Sequence, residues 1–574
     1  MKKTIVLALC LVTFHGAWSQ KASVTWGEEF KLRKGSTDLD VIHTDADGVF
    51  VKESHLVLKS YFVIGATMRE AATIIKLDKN LNEIYRQDFG KELKGKEFED
   101  FFFLQDKLFL IASDYSKKDK TLTLFTAEVN KVDGELKSEF KEVASWQREE
   151  KADAISFRSG YNFDSTKMVL VSTIAGRSRN MYEVKLFDKT LKLQGKAINL
   201  SNEFDPKTYL LEDVVYTASD KVILVGRNFE YEEGKKKKSK FLNFSNYSIR
   251  MYDAMGKVVK EINSDINAKW LISTKVLQVP DKDLVLAAFY SNQKKGKEIN
   301  GMLVQRFNPL SGEVVSTSIK ELNTSQIAVV EEDDDDDDES KKERKEREKL
   351  EKIQAEEEGF SRYMRFRSFI ITPDNGLVIL AEKYNHYQYT TYSTTTTGTM
   401  TTTRSTTYDV HECGDLLMSR VEKNGDIGWL HVLPKAQKEI IQVSSSAGSG
   451  LSFSIGSNYF NSGFNRPFYA GFGILPDAKN VAIIFNDNKK NENVLQLGQK
   501  CRQINRYSKS ECFSVQLDMV TGKYTRSSLF NNKDVPTAMP RLGSNLGNSL
   551  YIIGKEDRML GKTKIAVARI ALKG

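Results

Sequence analysis

The sequence predicts an all-β chain folded as a β-propeller of four-stranded antiparallel blades. Eight blades fit best, with seven as the alternative. Two observations predict this. A unit made of a buried apolar strand, an alternating strand and an Asp- or Asn-led turn returns along most of the chain at a spacing of roughly 50–60 residues. The last unit also stops one strand short, while the N-terminal region supplies an unassigned strand to complete it.

The first residues read as a leader. Lys2 and Lys3 precede an apolar run over 5–14, and Ala17, Trp18 and Ser19 place small residues where a signal peptidase cuts. Residues 1–19 are therefore expected to be a signal peptide, and the protein to be exported to the periplasm, outer surface or medium. The run is too short to span a bilayer, which takes about 20 apolar residues, and Leu9 spoils the lipid-attachment pattern at Cys10. No later stretch is apolar enough to cross a membrane.

Residues 20–330 carry blades 1–5 and residues 361–574 carry blades 6–8. The alternating strand and its turn are visible at Ile74, Ile75 and Leu77 before Asp78, and at Tyr182, Val184 and Leu186 before Asp188. They return at Ile249 and Met251 before Asp253 and Gly256, at Val304 and Phe307 before Asn308 and Gly312, and at Val515 and Leu517 before Asp518 and Gly522. Period-2 alternation is the strand signature. Asp or Asn accepts local backbone N–H groups at the turn, and Gly supplies positive φ. Continuous apolar runs precede these strands, as at 222–225 and 481–484, and suit strands buried on both faces. Val24 to Trp26 and Phe30 to Leu32 read as the strand that closes the ring against Ile570.

Residues 331–360 break the repeat. Over 331–358 there are 16 acids, six of them Asp333 to Asp338, and 7 bases, a net −9. The whole chain is +8, so the remainder carries +17. Such a block has nothing to bury and is expected to be a disordered or helical solubilising insertion. It lacks the spaced ligands of a calcium loop. A lysine-rich stretch at 235–238 reads as a solvated hairpin tip.

The second insertion, 384–408, is rich in Thr and in Tyr384, Tyr387, Tyr389, Tyr392 and Tyr408. It is expected to be a long hairpin with its tip near Gly398, and those tyrosines are the candidate binding surface. An irregular polar loop is the alternative. Cys501 and Cys512 flank a polar stretch and are a candidate disulfide if it is a hairpin loop. Three unpaired thiols, Cys413 included, is the other outcome.

No catalytic, nucleotide-binding or metal motif appears, and none of the histidines sits in one. No cofactor is expected, and the metal question stays open. Asp40, Asp100 and Asp213 stand near the starts of inner strands, where turn and solvent roles compete with a place in the channel. Asp164, Ser165 and Thr166 match a short O-glycosylation pattern. Lys and Arg are scattered among acids, so nucleic acid is not the expected partner.

The turn units and the leader together resemble exported bacterial β-propeller proteins of uncharacterised activity, over about 24–330 and 360–574. The WD40 and kelch signatures are missing, so no site residues transfer. The expectation is a monomeric, non-enzymatic binding or scaffolding protein. Its partner would be a protein or polysaccharide of the cell envelope. The alternative is a propeller hydrolase or lyase acting on envelope glycans or peptides.

Overall fold

A computed structural model describes residues 22–33, 36–62, 65–147, 154–162, 166–175, 179–205, 207–231, 242–262, 265–266, 269–279, 283–293, 299–322, 330–331, 364–397, 400–447, 452–455, 466–556 and 564–572. The expected leader, most of the acidic insertion, the 235–238 lysines and the Asp164–Ser165 pair lie outside them.

Eight antiparallel sheets follow one another along the described chain. Blade 1 begins with Ser36–Asp45, blade 2 with Glu97–Leu104 and blade 3 with Ala154–Tyr161. Blade 4 begins with Tyr209–Tyr216, blade 5 with Lys269–Gln278 behind a two-residue edge strand, and blade 6 with Arg365–Ile371. Blades 7 and 8 begin with Gly473–Pro476 and Thr537–Leu546. Each first strand is innermost, and the middle strands are the most buried. Leu284–Ser291 of blade 5 is buried throughout, whereas the outer strand Val258–Ile262 of blade 4 is exposed at all but its last residue.

The packing closes the ring. Each pair of consecutive blades shares an apolar core, from Phe50 and Ile74 against Phe101 and Leu110 between blades 1 and 2, to Leu475 and Ile484 against Leu550 and Ile552 between blades 7 and 8. A further core sets Val41 and Val51 of blade 1 against Ile553 and Val567 of blade 8. Eight such cores join eight blades. The fourth strand of blade 8 is Ala22–Trp26, which pairs antiparallel with the C-terminal strand, Val24 opposite Ile570. The eight-blade architecture and its terminal closure are as the repeat predicts. Ala22–Trp26 covers the edge that the C-terminal strand would otherwise present.

Strand alternation sorts the connections. Turns from first to second and from third to fourth strands share one face. Hairpins from second to third strands, and the links between blades, share the other. The first face holds short turns, and their glycines do two jobs. Gly256 has φ +79°, and a Cβ there would lie 2.0 Å from the Asn199 carbonyl oxygen of blade 3. Gly522, at φ +72°, abuts Trp429 and His431 of blade 6 in the same way. The recurring Gly thus permits both the turn and its seat on the preceding blade. Among the described residues, the 384–408 hairpin and the link between blades 6 and 7 lie on the second face, here termed the upper face.

Candidate functional site on the upper face of blades 6–8

The 384–408 insertion is a hairpin, formed by the second and third strands of blade 6 running on as Leu377–Thr397 and Met400–Val421. A third strand, Gln437–Ala447, pairs along its other edge, His411 opposite Glu439. The five tyrosines therefore do not share a surface. Tyr384 and Tyr387 are buried, Tyr389 and Tyr408 stack across the strands at 5.1 Å, and Tyr392 is exposed. Tyr384 packs with Cys413, Ala470, Ile504 and Tyr507, so the ribbon's root leans onto segments of blade 7. Tyr384 and Tyr387 stand on opposite faces of the ribbon, so burial follows distance from the packed root and falls toward the tip.

Beneath the ribbon lies a buried polar network. Lys435 is fully buried, and its Nζ donates to Glu382 Oε1 at 2.8 Å, to Gln437 Oε1 at 2.7 Å and to the Cys413 carbonyl at 3.0 Å. Arg367 Nε donates to the other oxygen of Glu382 at 2.9 Å. Although burial opposes ionisation of Glu382, Lys435 and Arg367 outweigh it and hold its carboxyl down at about 2. Gln437 Nε2 donates to the Asn486 carbonyl, and Asn486 Nδ2 to the Ala538 carbonyl, which ties blades 6, 7 and 8 together. Glu439 accepts the backbone N–H groups of Phe468, Tyr469 and Ala470, and burial pushes its carboxyl up. These acids are structural clamps.

His386, Asp409 and His411 bring donor atoms within 4.8 Å of one another. His386 Nε2 and Asp409 Oδ1 are 2.9 Å apart, and the Tyr384 hydroxyl hydrogen-bonds His411 Nδ1 at 2.8 Å. The two imidazoles are stacked, with centroids 4.5 Å apart and planes 6° from parallel. Their in-plane lone pairs therefore run side by side instead of converging on one ion. Burial and the nearby His386 push His411 down to about 3 and keep it neutral. The trio is a hydrogen-bonded pair stacked on a buried neutral ring, and its donor geometry does not fit a metal centre.

Two hollows adjoin this network. A cleft of about 880 Å³ runs between the ribbon's third strand and the loops of blades 7 and 8. Phe468, Tyr469, Tyr507 and Ile440 give it an apolar strip, with Asn505 and Ser508 among its polar residues. Its charges nearly balance, with Glu29, Glu439, Asp534 and Glu556 against Arg506, Lys533 and Lys555. A smaller cavity of about 330 Å³ lies among the inner strands of blades 6, 7 and 8, in the central channel.

The inner-strand acids fasten neighbouring blades. Asp100 of blade 2 meets Lys52 of blade 1 at 3.1 Å, and Asp213 of blade 4 meets Lys275 of blade 5 at 2.5 Å. Asp40 is held by Arg466 at 3.1 Å, and burial raises its carboxyl. Arg466 belongs to the link between blades 6 and 7, yet it grips blade 1. In the same link, Ser452–Ile455 pairs in parallel with residues 65–68 of blade 1, so the link crosses the upper face.

The candidate disulfide is corrected by the structure. Cys501 and Cys512 are unbonded and buried in different cores, Cys501 with Ala436 and Val494, Cys512 between blades 7 and 8. The stretch between them is not a hairpin loop. Cys501–Arg502 pairs in parallel with Val330–Glu331, and a 3-10 turn at Tyr507–Lys509 follows. Cys413 is also unbonded and buried. Sequence reasoning missed Lys435, Gln437 and Glu439. Their only signal is an alternation of polar residues with Ala436 and Ile440.

No protein-family model matches the chain, and no curated protein sequence does. Among solved structures, it is similar to a polysaccharide lyase at 9% identity, with 83% of this chain and 90% of that one covered and a TM-score of 0.32. It is also similar to the GH93 α-L-arabinofuranosidase of Fusarium graminearum, at 9% identity, 62% and 92% coverage and a TM-score of 0.30. The β-propeller domain of the Trilobed protease from Pyrococcus furiosus matches at 10% identity, 87% and 98% coverage and a TM-score of 0.31. At these values the propeller assignment rests on the chain's own sheets and cores. Among the described residues no helix is long and apolar enough to cross a membrane.

Proposed function

We propose that the protein is a binding protein whose upper-face cleft takes a segment of an envelope polysaccharide. The observation that carries this is the cleft itself: about 880 Å³, an apolar aromatic strip with polar neighbours and near-balanced charge, on the face that carries the 384–408 hairpin. An apolar floor with hydrogen-bonding edges suits the ring faces and hydroxyls of sugars, and balanced charge argues against a polyanion such as nucleic acid. The acids of the neighbouring buried network are already committed to Lys435, Arg367 and backbone amides, which favours binding over turnover.

The test is retention of the protein on immobilised envelope polysaccharide. Ile440 is 39% exposed and lines the cleft. I440D, which puts a charge in the apolar strip, is expected to weaken retention at least tenfold while the melting temperature stays within a few degrees. Unchanged retention rejects the cleft as the binding surface.

A second reading, a hydrolase or lyase acting on the same polymers, draws on Asp40, a half-buried carboxyl on an inner strand whose pKa desolvation raises. Release of reducing or unsaturated ends by the wild type, lost in D40N with retention kept, would select it.

A further inference from the structure

The channel cavity carries an electrostatic imbalance that the fold does not resolve. Arg541 interacts electrostatically with Arg367, Glu382, Cys413, Tyr384, Glu439 and the neutral His411. Arg367 is a neighbouring cation and Glu382 a neighbouring carboxylate, and the Cys413 thiol and Tyr384 hydroxyl are neutral, both pushed up by burial. Glu439 also feels Arg541, but it already accepts three backbone amides. Glu382 is engaged at both oxygens, by Lys435 and by Arg367. Arg541 makes no hydrogen bond or ion pair with a described residue, and Arg367 Nη2 is buried without a partner. Two guanidinium groups therefore border one cavity with donor capacity left over. Arg367 keeps Glu382 as its counterion, whereas the half-buried Arg541 has none within hydrogen-bond reach, and a charge partly withdrawn from water without a counterion is costly.

The backbone explains why both point inward. Arg367 is the extra residue of a bulge in the first strand of blade 6, where the register shifts between Phe366 and Ser368. Arg541 sits in the larger shift between Met539 and Ser544 of blade 8. A bulge re-aims a side chain. Blade 7 stands between them with a first strand of only four residues, Gly473–Pro476, and a Cβ at Gly473 would lie 2.3 Å from the Pro540 carbonyl oxygen. On the far side of the ring the corresponding bulge residues are Glu99 and Glu212.

We propose that this channel cavity is a binding site for a carboxylate-bearing ligand of monosaccharide size, held between Arg367 and Arg541. Guanidinium pairs recognise carboxylates through forked, charge-assisted hydrogen bonds. Phe366 and Phe472 offer apolar faces for a sugar ring, and Ser368 and Asn545 offer hydroxyl partners. A volume of about 330 Å³ stands at the small end of ligand pockets. The site is separate from the upper-face cleft, and neither proposal depends on the other.

The experiment measures thermal stability and calorimetric binding of the full chain with sodium glucuronate. Glucose, sodium acetate and sodium chloride at matched ionic strength are the controls. Glucuronate is expected to raise the melting temperature in a dose-dependent way, whereas glucose and chloride leave it unchanged. An equal response to acetate supports the site with the carboxylate alone as its ligand; a weaker one supports a sugar acid. R541Q is expected to keep the fold and lose at least tenfold in affinity, and R541K, which keeps the charge without the fork, to lose severalfold. I440D leaves glucuronate binding unchanged. Equal shifts with glucose or chloride, or full affinity in R541Q, overturn the proposal.

Discussion

Ser23 and Ala571 face each other as register partners on adjacent strands, although 548 positions separate them in sequence. This pairing turns eight stacked sheets into a closed ring. Trp26 anchors it, edge-on to Phe530 at 5.6 Å and against Gly554, where a Cβ would meet the indole at 2.5 Å. Trp26→Ala is expected to cost about 3 kcal/mol, read as a lower urea midpoint. Deleting residues 22–26 should expose the edge of blade 8 and produce concentration-dependent oligomers in light scattering. A monomeric deletion variant with an unchanged midpoint would show that the closing strand is dispensable.

Glu382 makes stability depend on acid. Its folded pKa is about 2, below the 4.5 of the free side chain, so the stabilisation is complete above about 4.5 and drains away as pH falls toward 2. Glu382→Gln removes this dependence and leaves Lys435 buried beside a neutral amide, at a cost of about 3–5 kcal/mol at neutral pH. Denaturation midpoints of both proteins from pH 2 to 7 check this. Parallel curves would count against it.

His411 acts in a higher window. Its folded pKa is pushed down to about 3 from 6.5, so the folded protein binds fewer protons than the unfolded chain between those values. Stability should therefore be full above pH 6.5 and decline as pH falls below it. H411Q, which cannot titrate, should flatten the melting-temperature profile between pH 4.5 and 6.5. The same slope in both proteins would assign the effect elsewhere.

Gly256→Ala tests the double role of the turn glycines. Strain at positive φ alone costs about 1 kcal/mol. Collision with the Asn199 carbonyl oxygen adds to it, because the turn must lift off blade 3. The expected loss is about 2–3 kcal/mol. Gly195 also has positive φ but has nothing within 4 Å of its would-be Cβ, so G195A should show the strain alone. Equal losses at the two positions would remove the inter-blade component.

The hairpin tyrosines separate by burial. Tyr384→Ala removes a core side chain and the hydroxyl partner of His411, and should lower the melting temperature markedly. Tyr392→Ala, at a position 73% exposed, should leave it unchanged. Deleting all of 384–408 would unfold the ribbon, so trimming residues 391–406 is the cleaner probe of what its outer part binds. Equal melting temperatures for the two point variants would contradict the packed root.

The repeat alone specifies the propeller. Each blade needs only local information: an apolar strand, an alternating strand, and a turn whose Asp or Asn and Gly are visible in the chain, as at Asp253 and Gly256. The hairpin over 384–408 was legible for the same reason, since Thr and Tyr in a long polar run favour paired strands. What the tertiary structure decided is which side chains meet across blades. The Lys435–Glu382–Arg367 network, the Arg367–Arg541 pair and the separate burial of Cys501 and Cys512 join residues from distant segments. Their spacing in sequence is set by loop lengths that carry no chemistry. Bulges contribute as well, because a single extra residue reverses where a side chain points and leaves almost no trace in composition. A repeat announces its backbone through short-range pattern, whereas a site at the axis of a ring arises only when the ring is closed.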